Sequence, residues 1–284
     1  LTSTSNGNCS AVTDNVLIIF TNAPTVNAGL DIASCKNNAA TALSGIVSGT
    51  TTTGIWSGGT GTFTPNNTAL NATYNPSAAD LTAGTVTLTL TSTSNANCNA
   101  VTDNMVINFT PSPVVNAGVD LNVCKNNANA VLSGTVSGGT TTGIWSGGLG
   151  SFNPSNSVLN ATYTPNASEL TAGSVTLTLT STNNGNCNQV TDNLVINFTP
   201  APVVNAGLDK NICKNNAATA LSGTVSGGST TGIWSGGSGT FSPSSSALTT
   251  TYTPTAAELS AGSVNLVLTS TSNGNCSAVT DNVL

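Results

Sequence analysis

The chain repeats itself every 89 residues, and this periodicity constrains its fold more than any other feature. The segment LTSTSNGNCSAVTDNVL occupies residues 1–17 and returns unchanged at residues 268–284. The segment GIWSGG recurs at 54–59, 143–148 and 232–237. A period of this length exceeds the roughly 20–45 residues of stacked solenoid repeats and suits one small domain per repeat. The sequence therefore predicts a tandem array of small domains.

Proline-bearing segments mark the predicted boundaries between these domains. TNAPTV, TPSPVV and TPAPVV recur at the same point of each period, and proline favours a stiff, extended connection. Because residues 1–17 and 268–284 cover the same part of a repeat, we expect Cys9 and the strand holding Leu284 each to lack partners that an intact array supplies. The predicted domains are the C-terminal part of a truncated repeat (1–22), two immunoglobulin-like repeats (23–111 and 112–200), and a repeat without its last residues (201–284).

Alternation of apolar and polar residues predicts β-strands throughout each repeat. GTVTLTLTST (84–93) and AVTDNMVINF (100–109) both alternate, and the polar segment SNANCN between them predicts the turn of a long hairpin. About seven short strands with frequent turns favour an immunoglobulin-like β-sandwich. The predicted fold class is therefore all-β, a tandem array of immunoglobulin-like β-sandwich domains with an 89-residue repeat.

One short helical turn per repeat is also predicted. Ser, Asn or Thr stands three residues before Asp or Glu, a spacing that lets each side chain accept a hydrogen bond from the other residue's backbone N–H. These capping boxes pair Ser77 with Asp80, Asn166 with Glu169 and Thr255 with Glu258.

The cysteines are the candidate site residues. The chain has no His, no CxxC spacing and few cations, so catalytic or metal-binding thiols are disfavoured and structural disulfides are predicted. Disulfides place the chain in an oxidising, extracellular compartment. The candidates are Cys9, Cys35, Cys98, Cys124, Cys187, Cys213 and Cys276.

Two disulfide pairings remain open from the sequence. Pairing within a repeat joins Cys35 to Cys98, Cys124 to Cys187 and Cys213 to Cys276, and leaves only Cys9 over. In a sandwich, however, Cys35 and Cys98 are expected at opposite ends of strands about 30 Å long, whereas a disulfide needs Cα atoms about 4–7 Å apart. Pairing across the junctions instead joins Cys35 to Cys187 and Cys124 to Cys276, which would clamp each junction and produce a rod.

The tryptophans and the aspartates can each be interpreted either as structural residues or as functional ones. Trp56, Trp145 and Trp234 are predicted to be core residues, with sugar-stacking platforms as the alternative. Asp103 and its counterparts Asp192 and Asp281 are predicted to accept backbone N–H bonds at a strand entry, with calcium binding as the alternative. Calcium usually needs several carboxylates, and each full repeat has three scattered acids.

The charge of the chain excludes several functional classes. Only 5% of the residues are charged, the formal net charge is −6, and His and Arg are absent. Nucleic-acid binding and anionic membrane surfaces both need clustered cations. The longest apolar run, VLIIF, is too short to span a membrane. Without a nucleophile–base pair or an acid–base dyad, the chain is predicted not to be an enzyme and to have no metal site and no cofactor.

The motifs together resemble a known group of proteins. The combination PVVNAGLD, CKNN, LSG, WSGG, TYTP, TLTLTST, NC and TDN, present in successive repeats, is similar to the tandem repeats of large surface adhesins of gliding Bacteroidota. This resemblance implies export by type IX secretion, an extracellular filament attached to the outer membrane, and a role in gliding motility. The partners it implies are neighbouring repeats of the same chain, surface polysaccharide or substratum, and the gliding machinery.

The predicted function is a structural stalk of a bacterial cell-surface adhesin filament. Two alternatives remain: a module that binds glycans or a surface directly, and a spacer between domains of a secreted enzyme. Exposed Trp or Tyr side chains on a flat face would favour the binding module, because they stack on sugars.

Overall fold

A computed structural model describes residues 1–284, and it confirms the predicted all-β fold of immunoglobulin-like β-sandwiches. The chain divides into two compact units. The first comprises Leu1–Ser112 together with Asn184–Asn188, and the second comprises Pro113–Asn183 together with Gln189–Leu284. The first unit has one hydrophobic core and the second has two. The division into residues 1–22, 23–111, 112–200 and 201–284 stays a prediction.

The first unit contains one β-sandwich. One layer is formed by the strand order β2-β9-β8-β5, and the other by the pair β1-β4 and the three strands β3-β7-β6. The elements are β1 (Thr25–Asn27), β2 (Ile32–Cys35), β3 (Thr41–Ala42), β4 (Ile46–Ser48), β5 (Gly54–Ser57), β6 (Thr62–Thr64), β7 (Thr73–Asn75), α1 (Ala78–Ala83), β8 (Thr85–Ser92) and β9 (Thr102–Thr110).

The long hairpin of this unit follows the predicted alternation. β8 and β9 pair antiparallel from Thr85–Asn108 to Thr91–Thr102, and β2 adds to β9 in parallel. Val86, Leu88 and Leu90 point into the core while the threonines between them lie outside or at its margin. Strict period-two alternation therefore decides which face of the hairpin is buried.

The second unit repeats this sandwich twice. Its first sandwich comprises β10 (Val114–Asn116), β11 (Leu121–Cys124), β12 (Ala130–Val131), β13 (Thr135–Ser137), β14 (Thr142–Ser146), β15 (Ser151–Asn153), β16 (Thr162–Thr164), α2 (Ala167–Ala172), β17 (Ser174–Thr182) and β18 (Thr191–Thr199). Its second sandwich comprises β19 (Pro202–Asn205), a 3-10 helix (Lys214–Asn216), β20 (Thr219–Ser222), β21 (Thr224–Gly227), β22 (Thr231–Ser235), β23 (Thr240–Ser242), β24 (Thr249–Thr253), α3 (Ala256–Ala261), β25 (Leu266–Thr271) and β26 (Thr280–Val283).

The last sandwich differs from the others at one edge. In the first two, β9 and β18 continue to Thr110 and Thr199 and pair in parallel with β2 and β11. β26 stops at Val283, before the residues that make this pairing, so residues 210–213 form no strand. A single backbone–backbone hydrogen bond, from the N–H of Lys210 to the carbonyl of Leu284, joins residues 210–213 to the residue that follows β26. Along its other edge β26 pairs antiparallel with β25, from Leu266–Val283 to Thr269–Thr280.

The tryptophans lie in the cores, and glycine makes room for them. Trp145 is fully buried, and a Cβ atom on Gly134 would come within 2.7 Å of both its indole ring and Leu179. Ordinary contacts are well beyond that distance. The glycine of the LSG motif is therefore required for the indole to pack beneath the adjoining strand.

Candidate functional site

Two disulfides link residues of successive 89-residue repeats. In the first unit Cys35 bonds Cys187, with Cα atoms 5.0 Å apart. In the second unit Cys124 bonds Cys276, with Cα atoms 4.9 Å apart. Of the two pairings left open by the sequence, the structure has the one that crosses the junctions, and Cys35 is not bonded to Cys98. Cys9 and Cys213 are exposed thiols.

Asparagine side chains surround the first disulfide. Asn37 donates from its side chain to the Asn188 carbonyl (3.1 Å) and accepts the Asn188 backbone N–H (3.1 Å), while Asn188 donates to the Asn37 carbonyl (3.2 Å). Asn186 donates to the carbonyl of Ala33 (2.6 Å). The hairpin tip is therefore held by a set of amide hydrogen bonds in addition to the covalent bond.

The same contacts recur around the second disulfide. Asn126 donates to the carbonyl of Ser277 (3.0 Å) and accepts the Ser277 backbone N–H (3.2 Å). Asn275 donates to the carbonyl of Asn122 (2.6 Å). These asparagines were not predicted from the sequence. Their signal was present, since Asn stands two residues after the cysteine in every CKNN segment and one residue before it in every hairpin tip.

The three tryptophans lie inside the sandwiches with their indole N–H groups hydrogen-bonded. Trp56 and Trp145 are 0% exposed, and Trp234 is 2% exposed. Their Nε1 atoms donate to the carbonyls of residues 70, 159 and 248, at 3.2, 3.1 and 3.2 Å. A buried indole with a satisfied N–H cannot stack on a sugar in solution. These residues therefore offer no binding platform in this conformation.

The aspartates considered as calcium ligands bind the backbone. Asp103, Asp192 and Asp281 each accept the N–H of an alanine (Ala28, Ala117 or Ala206) at 2.8 Å. The structure contains no group of three His, Cys, Asp or Glu residues that could hold a metal ion. These hydrogen bonds are the ones expected if the aspartates are structural, because each carboxylate then accepts a hydrogen bond from a backbone N–H near the start of a strand.

A buried tyrosine–carboxylate pair, also missed from the sequence, connects three elements of each sandwich. Tyr74 in β7 donates its hydroxyl proton to Asp80 of α1 (2.8 Å), and its oxygen accepts the N–H of Gly61 (3.0 Å). Burial and the Asp80 hydrogen bond raise the pKa of Tyr74 to about 12. The same arrangement joins Tyr163 to Glu169 and Tyr252 to Glu258.

The acid of this pair stays ionised. Burial acts to raise the pKa of Asp80, but hydrogen bonds from the backbone of Ser77, from Tyr74 and from Thr60 outweigh it and lower the pKa to about 2. The capping boxes predicted from sequence are confirmed, with both reciprocal bonds present in all three helices. Each acid thus serves the cap and the tyrosine together.

These features define the chain as an array of immunoglobulin-like β-sandwiches whose successive 89-residue repeats are linked by disulfides. No helix is long and apolar enough to cross a membrane. No protein-family model and no curated protein sequence matches the chain.

Several solved structures are similar to it. The titin I-band fragment I67–I69 matches at 12% identity over 93% of this chain and 98% of that chain, with a TM-score of 0.48. Mouse cadherin-23 EC22–24 matches at 14% identity over 92% and 98%, with a TM-score of 0.37. Sidekick-1 immunoglobulin domains 1–5 match at 12% identity over 100% and 64%, with a TM-score of 0.36.

Proposed function

We propose that this chain is a structural stalk segment of a bacterial cell-surface adhesin filament. The observation that carries the proposal is the disulfide that joins the hairpin tip of one repeat to the preceding repeat, as Cys276 joins Cys124 in the second unit. A protein that only presented a binding loop would have no need of such a bond. A segment that transmits force along a filament needs its junctions to resist separation.

The surface chemistry supports the same proposal. Only 5% of the residues are charged, and the exposed faces of the long hairpins consist mainly of Thr, Ser and Asn. The largest aromatic side chains are buried in the cores. Since a glycan-binding module needs exposed aromatic rings or clustered polar groups in a concave site, the binding-module alternative is the weaker one.

The cellular setting follows from the sequence resemblance. We propose that the chain lies outside the cell, is exported by type IX secretion, and belongs to an outer-membrane-attached filament most like the flavobacterial gliding-motility adhesin SprB. Its partners are then neighbouring repeats of the same chain, the gliding machinery and the substratum. The domains of the array are the repeats at 23–111, 112–200 and 201–284.

A pulling experiment tests the stalk directly. The variant Cys35→Ser/Cys187→Ser keeps only Cys124–Cys276, whose cysteines are 152 residues apart. At about 3.3–3.6 Å per extended residue, we expect the oxidised variant to be about 500 Å shorter at full extension than after reduction. Single-molecule force spectroscopy measures this difference.

Binding assays on glycan arrays and abiotic surfaces complete the test. A stalk is expected to show no saturable binding to either. If the chain is not shortened by oxidation, or if it binds a glycan saturably, the stalk proposal is wrong. The variant Cys9→Ser, which alters an exposed thiol outside both disulfides, serves as the matched control in the pulling experiment.

A further inference from the structure

Every Asn–Gly pair of the chain lies in a hairpin tip that carries a cysteine. The three pairs share their distance from that cysteine, which follows the asparagine by three residues, and they are Asn6–Gly7, Asn184–Gly185 and Asn273–Gly274. The fourth tip has the same spacing but carries Asn95–Ala96 in place of Asn–Gly. Two of the three pairs therefore lie beside the junction disulfides, at Cys187 and Cys276.

A single hydrogen bond restrains the side chain of Asn273 in its tip. Its Nδ2 donates to the carbonyl of Ser270 (3.1 Å), and its Oδ1 is covered and accepts no hydrogen bond. The next residue, Gly274, is exposed, and its N–H makes no hydrogen bond. Gly274 has φ +60°, and a Cβ atom there would meet nothing within 4 Å. The side-chain amide can therefore turn toward the nitrogen of Gly274 at the cost of one hydrogen bond.

We propose that Asn184 and Asn273 are sites of deamidation that gradually change the junctions of the array. The nitrogen of Gly274 attacks Cγ of Asn273, the Cγ–Nδ2 bond breaks, and ammonia leaves with the proton of the glycine N–H. Water then opens the resulting succinimide ring to aspartate or isoaspartate. One water is consumed and one ammonia is released for each conversion. Because the two reacting groups are held in adjacent residues, no enzyme is needed. The reaction does not depend on the stalk function.

The residue that follows the asparagine controls the reaction. Glycine reaches the required backbone conformations freely and has no Cβ beside the attacking nitrogen. Ala96 has φ +52°, so its tip makes the same left-handed turn with a methyl group beside that nitrogen. Asn95 otherwise matches Asn273, because its Nδ2 donates to the carbonyl of Ser92 (3.1 Å) and its Oδ1 is covered without a partner. The two tips thus provide a comparison within one chain.

Deamidation alters the turn from which the junction contacts extend. The new carboxylate would face the carbonyl that the amide now binds, and a charged group in a covered position without donors is unfavourable. Isoaspartate also adds one carbon atom to the backbone of the tip. The contacts that follow this turn run from Asn275 to the carbonyl of Asn122 (2.6 Å) and from the N–H of Ser277 to Asn126 (3.2 Å). We expect these hydrogen bonds to weaken while the disulfide stays intact.

Incubation of the oxidised full chain in heavy-oxygen water at mildly alkaline pH tests the two sites. The water that opens the succinimide leaves its oxygen in the new carboxylate, so mass spectrometry of the peptides identifies each asparagine that reacts. We expect label to accumulate about tenfold faster at Asn184 and Asn273 than at Asn95. The rates should rise with pH, because the attacking nitrogen must lose its proton. Absence of label at Asn184 and Asn273, or equal rates at all three positions, would overturn the proposal.

Reciprocal substitutions at the following residue provide matched controls. Gly274→Ala should lower the rate at Asn273 to that of Asn95 and leave the rate at Asn184 unchanged. Ala96→Gly should raise the rate at Asn95 to that of Asn273. Each comparison is made at a single position, so the bonding state of the neighbouring cysteine is the same in both chains. Unchanged rates in these variants would show that glycine does not control the reaction, and the proposal would be wrong.

Hydrogen exchange tests the effect on the junction. Asn273→Asp reproduces the carboxylate without waiting for the reaction. We expect the N–H of Ser277 to exchange faster in Asn273→Asp and in the incubated chain than in the fresh unaltered chain, with the Cys124–Cys276 bond still present on peptide mapping. Asn6→Asp, in a tip whose Cys9 is a free thiol, is the control and should leave the exchange of Ser277 unchanged. Equal exchange in Asn273→Asp and the unaltered chain would contradict the effect on the junction.

Discussion

At the scale of single residues, the hydroxyl of Tyr163 illustrates how each sandwich is held together. It donates to Glu169 (2.7 Å) and accepts the N–H of Gly150 (2.9 Å), so it joins β16, α2 and the turn before β15. The ring also packs on Phe152, with centroids 4.9 Å apart. A polar group buried at 0% exposure is stabilising only while both of its bonds are made.

Tyr163→Phe is expected to destabilise its sandwich by about 1–3 kcal/mol, because Glu169 and Gly150 then lose a buried partner. Scanning calorimetry of the full chain measures this as a lower melting temperature for one of the transitions. Thr176→Ser, on the exposed face of β17, is the control and should leave the melting profile unchanged. An unaltered profile in Tyr163→Phe would contradict the role assigned to the hydroxyl.

Asp80 should make the stability of the first sandwich depend on acid pH. Its pKa is about 2 in the folded protein, below the value of about 3.9 for an unperturbed Asp. The stabilisation is therefore complete above about pH 4 and is lost as the pH falls toward 2. We expect the melting temperature to decrease over this interval.

The variant Asp80→Asn distinguishes the contribution of this carboxylate to the acid dependence of stability from the contributions of the other acidic groups. The variant should be less stable at neutral pH and should lose less additional stability on acidification than the unaltered chain. Asp14→Asn, at an exposed position, should keep the original pH profile. If Asp80→Asn and the unaltered chain show parallel profiles, the acid dependence comes from other groups.

At the scale of elements, the glycine-rich turn that follows Trp145 decides how closely the end of β14 approaches Tyr163. Gly148 has φ +70°, and a Cβ atom there would lie 2.1 Å from the Tyr163 hydroxyl. Gly173, which ends α2, has φ +89° with nothing within 4 Å. Both positions favour glycine conformationally, but only the first is also closed to a side chain.

Gly148→Ala is expected to destabilise the sandwich more than Gly173→Ala. The second substitution adds only the conformational cost of a left-handed residue, about 1 kcal/mol, whereas the first also displaces the Tyr163 hydroxyl from its partners. Calorimetry of the two variants gives the comparison. Equal losses would mean that the turn adjusts and that the hydroxyl contact is not restrictive.

The same elements show why the sequence predicted most of the fold. Strand, hairpin and capping-box predictions rest on neighbours within a few residues, where alternation and spacing decide the outcome. The parallel pairing of β2 with β9 was not predicted, because it joins residues 75 positions apart, Ile32 to Ile107. The Tyr74–Asp80 bond was also missed, since it forms only once β7 and α1 pack on the same turn.

At the scale of the whole molecule, the loops closed by the two disulfides together include most of the chain. Each closes a loop with a sequence separation of 152 residues, and the two loops overlap between Cys124 and Cys187. In the chain-entropy description, closing such long loops removes much of the freedom of the unfolded state. The unfolded chain is therefore constrained across several sandwiches at once.

Peptide mapping of the oxidised chain should find Cys35 linked to Cys187 and Cys124 linked to Cys276. Chymotrypsin cuts between every pair of neighbouring cysteines that must be distinguished, because Trp, Tyr or Phe stands between them. Mass spectrometry before and after reduction identifies the linked peptides. A peptide joining Cys35 to Cys98 would contradict the structure, and blocking free thiols before digestion controls for exchange.

The sequence by itself determined the all-β class, the strand alternation, the helix caps and the 89-residue periodicity, because each depends on short-range spacing along the chain. Only the tertiary structure decided which cysteines meet. Cys35 and Cys187 are 152 residues apart in sequence but 5.0 Å apart between their Cα atoms. Disulfide formation depends on distance and direction in space, and those come from how the sandwiches bring a strand end and a hairpin tip together.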